Sequence, residues 1–198
     1  MGTRIPQSHL VQGGFYHVFN RGNRKQNIFT SPADYKRYLD KVKEYKKEHD
    51  ITVVAYCLMP NHIHLLLRQN GPKPLSLFIQ KLHTAYSKYF NTKYSVVGHV
   101  FQDRSRVKHV DRDEYLLHLT RYIHLNPAKL AKKLTSYKWS SYPTYIGILD
   151  DGLTETKYIL PAFKRKNQTT EDAQREYKLF VRSQEDYYYK IKDYTFPH

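Results

Sequence analysis

Between residues 51 and 68 the chain reads Ile51-Thr52-Val53-Val54-Ala55-Tyr56-Cys57-Leu58-Met59-Pro60-Asn61-His62-Ile63-His64-Leu65-Leu66-Leu67-Arg68. β-Branched, aromatic and aliphatic residues fill both halves, and Pro60-Asn61 interrupts them with turn chemistry. The stretch predicts a hairpin of two central strands. Upstream, Gly13 to Gly22 alternates apolar and polar residues before a glycine turn, which predicts another strand. Ser31-Pro32 then supplies an N-cap and a first-turn proline for a helix over 32–48. Its inner face is Tyr35, Tyr38, Leu39, Val42 and Tyr45, at spacings of three and four.

Downstream, Gly71-Pro72-Lys73-Pro74 precedes a second helix over 75–90, with Leu75, Phe78, Ile79, Leu82, Tyr86 and Tyr89 on one side. Residues 98–102 and 105–110 read as a short extended pair around Asp103-Arg104. Asp111 is placed to cap a third helix over 112–125, which Pro127 stops because the residue before proline avoids helical geometry. The order β-α-β-β-α-β plus a helix predicts an α+β, ferredoxin-like core, with two helices on one face of an antiparallel sheet. Beyond Asn126 the pattern thins to the aromatic segment Trp139-Ser140-Ser141-Tyr142 and a final helix over 174–182. Lys164-Arg165-Lys166 reads as a solvated charge run. With the cluster Tyr187-Tyr188-Tyr189 it marks residues 151–198 as a basic, aromatic C-terminal extension to a domain over 1–150.

The 198 residues carry 33 Lys+Arg against 18 Asp+Glu, a formal charge of +15. With 40% hydrophobic residues, the chain can bury a core. The charge points to phosphate-rich partners, nucleic acid or an anionic membrane surface. A single cysteine, Cys57, suits a reducing compartment and excludes a disulfide-stapled secreted fold. No apolar run approaches the ~20 residues of a membrane span, and no secretion or lipid-anchor signal is visible. A soluble, cytoplasmic, nucleoid-associated protein is the expectation. The 19 Tyr, interleaved with Lys and Arg, suit base stacking, and equally suit half-buried packing with a wet hydroxyl.

Side chains alternate faces along a strand, so His62 and His64 point the same way and stand close enough to share a divalent metal, given a further ligand from elsewhere. The alternative is a histidine pair facing solvent or bonded to a loop. On the third helix His118, Tyr122 and Asn126 step by four onto one face, placing a hydroxyl and an amide one turn apart. Tyr122 reads equally as a core-edge aromatic, and Asn126 as a helix stop.

Four blocks in order carry a resemblance: Tyr56-Cys57-Leu58-Met59-Pro60-Asn61-His62-Ile63-His64-Leu65-Leu66-Leu67, Gly98-His99-Val100-Phe101-Gln102-Asp103-Arg104, Arg121-Tyr122-Ile123-His124-Leu125-Asn126-Pro127, and Trp139-Ser140-Ser141-Tyr142. With the opening Asn20-Arg21-Gly22-Asn23-Arg24, they resemble the single-tyrosine HUH transposases, in particular the REP-associated tyrosine transposases, over about residues 13–145. The resemblance implies a single-stranded DNA endonuclease and strand transferase on a ferredoxin-like core, using Mg2+ or Mn2+ and often acting at hairpins of palindromic repeats. Through it His62 and His64 match the metal-binding pair and Tyr122 the nucleophile that forms a 5′-phosphotyrosine link. Asn126 matches a third polar ligand; it is a departure, since better-known insertion-sequence relatives typically carry Gln there. Arg21, Arg24, Gln102, Arg104 and Arg106 lie in the same blocks and are candidate DNA contacts. The implied partner is single-stranded DNA with hairpin repeats, met by a monomer or a homodimer.

His118, one turn before Tyr122, is a candidate general base or a plain surface histidine. A different class of protein also fits a βαββαβ sheet with surface aromatics: a non-catalytic RNA- or single-stranded-DNA-binding module. Its signature aromatic run is absent, and the histidine pair would then be unexplained. A domesticated repeat-binding protein is the third reading.

Overall fold

The computed structural model describes residues 11–131 and 133–185. Strands β1 (Phe15–Arg21), β2 (Ile51–Met59), β3 (His62–Gln69) and β4 (Arg106–Val110) form an antiparallel sheet in the order β2-β3-β1-β4. Helix α1 (Pro32–Glu48) joins β1 to β2, and α2 (Leu75–Tyr94) joins β3 to β4. Helix α3 (Asp113–Leu125) follows β4; the short α4 (Tyr142–Tyr145) and α5 (Thr170–Arg182) come later. The result is the α+β, ferredoxin-like order that the alternation of elements predicts.

Strand periodicity sorts residues onto two faces. Tyr16 and Val18 of β1 and Ile63, Leu65 and Leu67 of β3 are buried beneath α1 and α2, against Phe29, Tyr38, Phe78 and Leu82. The helices are tied end to end by Asp34, which is buried at the start of α1. Its carboxylate accepts from the Thr30 and Ser31 amides, the Tyr89 and Tyr94 hydroxyls and the Lys93 ammonium. Burial alone would raise its pKa, but Lys93, Tyr94 and those amides hold it well below the usual carboxylate range.

The opposite face is closed over β2 and β3 by α3, α4 and α5. Val54, Ala55, Cys57 and Leu66 pack there with Ile123, Tyr145, Tyr177 and Val181. A bulge between Val53 and Ala55 rearranges strict alternation, so that Val54 and Ala55 share the face of Cys57 and Met59. Residues 139–141 run along β2: Trp139 O accepts from Leu58 N, and Ser141 N donates to Tyr56 O. Trp139 also stacks on Tyr35 at 4.5 Å.

Four sequence expectations are corrected. Residues 159–181 are more than an extension, since Ile159, Leu160, Ala173, Tyr177 and Val181 are core. The reason is that β2 and β3 are apolar on both faces and both need cover. Residues 98–102 form no strand beyond a single bridge of Phe101 to Gly22, because Val100 and Phe101 turn into the core; β4 pairs with β1 instead. Asp111 does not cap α3, whose N-cap position is Arg112. Asn126, although it precedes proline, keeps helical angles (φ −50°, ψ −43°), and the chain continues as a one-turn helix over Asn126–Lys129. Lys164, Arg165 and Lys166 are exposed. The Tyr187-Tyr188-Tyr189 cluster lies outside the described residues.

Candidate active site

Where α3 leaves the sheet face, the ends of β1 and β3 carry a row of polar side chains. The register sets it: Phe19 lies opposite His64, and Arg21 opposite His62. His64 is buried and His62 half-buried. Their rings stand 5.2 Å apart at 86°. Tyr122, half-buried on α3, sets its ring at 86° to that of His64 with centroids 5.5 Å apart. Thus residues separated by nearly sixty positions meet because α3 packs across β2 and β3. Burial raises the Tyr122 phenol above its ordinary pKa.

Asn126 stands at the end of the same helix. Pro127 has no N–H to continue the ladder, and the Asn126 backbone N–H donates to Ile123 O. The Tyr122 carbonyl instead accepts from Asn126 Nδ2 at 2.9 Å. With Nδ2 so committed, Oδ1 faces His62 Nε2 at 3.5 Å. On its other side His62 Nδ1 lies 2.7 Å from Asn61 Oδ1. Asn61 Nδ2 faces the Lys25 carbonyl, so Oδ1 is the acceptor and His62 carries its proton on Nδ1. His62 Nε2 and Asn126 Oδ1 therefore lie side by side, 3.5 Å apart, as two groups that could serve as donors to a divalent cation. Among the described residues, no three His, Cys, Asp or Glu side chains gather as a metal site. With the Asn126 amide oxygen as the further donor, His62, His64 and Asn126 are the residues that could hold a divalent cation here.

A groove beside the pair is lined by Phe19, Asn20, Arg21, Gln102, Arg104 and Arg106, together with His62 and His64. Four of the five candidate DNA contacts thus gather here. Gln102 Oε1 accepts from Arg21 Nε, and Gln102 N donates to Arg21 O, so the two are held as a unit. Arg24 is exposed with φ 52° and is not among the lining residues. His118 turns the other way, accepting from Arg121 at 2.6 Å and facing the Phe180 ring.

A sequence profile described as "Transposase IS200 like" matches residues 11–126, more than half of the chain. The chain belongs to the IS200-like transposase family. The fold of this IS200-like transposase is similar to a solved structure described as a REP-associated tyrosine transposase bound to a REP hairpin. That match has a TM-score of 0.61 and 16% identity, covering 78% of this chain and 98% of that one. A putative transposase from Deinococcus radiodurans also matches, with a TM-score of 0.43 and 16% identity, over 62% of this chain and 95% of that one. No curated protein matches the sequence. Among the described residues, no helix of the transposase is long and apolar enough to cross a membrane.

Three site features escaped the sequence reading. His17, buried on β1, places Nε2 2.9 Å from His64 Nδ1. Burial, with Lys108 adding to it, pushes its imidazole down to about 3, so it is neutral at physiological pH. Phe19 packs its ring against His17 at 4.8 Å, and Asn61 orients His62. The signal was available in the alternation His17, Phe19, Arg21, once β1 is laid beside β3. Behind the site, buried His124 bonds Tyr177 Oη at 2.7 Å and Ser141 Oγ at 2.8 Å, while Ser141 Oγ accepts from Tyr56 N. The Trp139–Tyr142 block thereby fixes the helix that carries Tyr122 to the edge of the sheet.

Proposed function

We propose that this transposase is a metal-dependent single-stranded DNA endonuclease and strand transferase that acts at hairpin repeats through a 5′-phosphotyrosine link. The observation that carries the reading is the perpendicular approach of Tyr122 to His64, beside the adjacent donors of His62 and Asn126, all within one chain. The similar REP-associated transposase, bound to a REP hairpin, supports the substrate class. His62, His64 and Asn126 hold Mg2+ or Mn2+, and as neutral donors they leave the ion's charge undiminished. When bound there, the ion withdraws charge from the non-bridging oxygens of a phosphodiester.

The chain's own groups do the rest. Arg21, Gln102, Arg104 and Arg106 hold the strand in the groove, with Arg24 a more distant phosphate contact. Tyr122 Oη attacks the scissile phosphorus. An O–P bond forms, the bond to the 3′-oxygen breaks, and the phenolic proton ends on the released 3′-hydroxyl. One phosphodiester replaces another, so no external energy source is needed, and a new 3′-hydroxyl can reverse the step. Tyr122 is buried enough to reach the reaction protonated.

The test is a denaturing gel of a 3′-end-labelled, repeat-bearing single strand incubated with the protein and Mn2+ or Mg2+. The label is expected to move with the protein and to stay free when EDTA is present. Tight binding without a covalent band on any hairpin strand, in either metal, overturns the reading and favours a binding module.

A further inference from the structure

An imidazole can present either nitrogen to a ligand, and the partner of the other nitrogen decides which. For His62 that partner is Asn61, its neighbour in sequence. For His64 it is His17, from a different strand. His17 lies opposite Leu66 in the β1–β3 register, diagonal to His64 on the same face. The two rings lie within 20° of parallel with centroids 5.2 Å apart, and the N···N contact of 2.9 Å joins His17 Nε2 to His64 Nδ1. Both histidines are buried, so water does not compete for this bond. Phe19 packs against His17 on one side and the Tyr122 ring meets it edge-on, at 4.8 and 6.4 Å.

We propose that His17 is the positioning residue of the metal site: its Nε2 accepts the His64 Nδ1 proton, fixing the tautomer and ring angle that direct His64 Nε2 toward the ion. The inference rests on the metal reading above and adds a residue to it. His17 Nε2 is engaged with His64 and is not offered to the ion. Its placement against Tyr122 makes one side chain the common support of a metal donor and the nucleophile's ring.

Two measurements test this. Nitrogen-15 correlation spectra of the metal-free wild type are expected to show His64 protonated on Nδ1; protonation on Nε2 overturns the proposal without any substitution. Calorimetric titration with Mn2+ then compares wild type, His62→Ala, His17→Leu and His17→Gln, with melting curves to establish folding. His17→Leu is expected to weaken Mn2+ binding by about 10- to 100-fold. His17→Gln, whose amide oxygen can accept the same proton, recovers most of the loss. Wild-type affinity in His17→Leu, alongside lost binding in His62→Ala, overturns the role of His17 and leaves the metal site standing. A wild type that binds no Mn2+ removes the metal reading itself, and this proposal with it.

Discussion

The two faces of the sheet use the same strands to opposite ends. Toward α1 and α2, β1 and β3 present Tyr16, Val18, Ile63, Leu65 and Leu67, a packed layer with full helical cover. One residue out of step, the same strands present His17, Phe19, Arg21, His62 and His64, and there α3 covers only part of the sheet. The first face is covered throughout; the second is packed over β2 and β3 and left open at the ends of β1 and β3, where imidazoles and guanidinium groups gather. On β1 and β3, core residues and candidate site residues are separated by a step of one residue along the strand rather than by distance.

The sharpest break between the faces comes from comparing Tyr122→Phe with Leu65→Ala. Tyr122→Phe is expected to abolish the covalent DNA adduct on a denaturing gel while shifting the unfolding free energy by no more than about 1 kcal/mol, one ordinary hydrogen bond. Leu65→Ala is expected to cost about 2–5 kcal/mol in urea denaturation through the cavity it leaves, and to retain adduct formation wherever it is folded.

Asp34 sharpens the same contrast through pH. Its folded-state pKa is depressed, so its contribution is present above the unfolded value of about 3.9 and is lost as pH falls through that value toward the folded one. Asp34→Asn is therefore expected to be destabilised by about 1.5–3 kcal/mol at neutral pH. Denaturant melts at descending pH should show the gap to wild type closing below about pH 4.

Tyr177→Phe removes the hydroxyl that bonds buried His124, on the helix that carries Tyr122. A loss of about 1–3 kcal/mol in stability is expected, with slower adduct formation and unchanged affinity for DNA. The smallest effect belongs to the exposed groove: Arg106→Ala should lower the slope of log affinity against log salt by about 0.7 for a single strand, the signature of one lost phosphate contact. An unchanged slope would place the strand elsewhere.

Local pattern made the strands, helices α1 to α3 and the shared face of His62 and His64 readable in advance, because each depends on spacing within one element; Tyr122 and Asn126 stood out from the other residues of their helix only through the family resemblance. What was not readable depends on pairing between elements. His17 acquires its role only through the β1–β3 register, and the bulge at Val54 changes which β2 residues face α3. The helical angles of Asn126 run against the usual restriction before proline, and they coincide with its side-chain amide reaching the Tyr122 carbonyl. The last fifty residues read as an extension because their apolar positions are sparse. The cover that Ile159, Leu160, Ala173, Tyr177 and Val181 give the second face becomes visible only with both sides of β2 and β3 in view.

The most direct test of the account is peptide mapping by mass spectrometry of the covalent DNA adduct formed by wild-type protein with Mn2+. With 19 tyrosines in the chain, the position is informative. The account predicts a single modified peptide bearing a 5′-phosphonucleotide on Tyr122. An adduct on another residue, such as exposed Tyr115 one heptad earlier on α3, would contradict it.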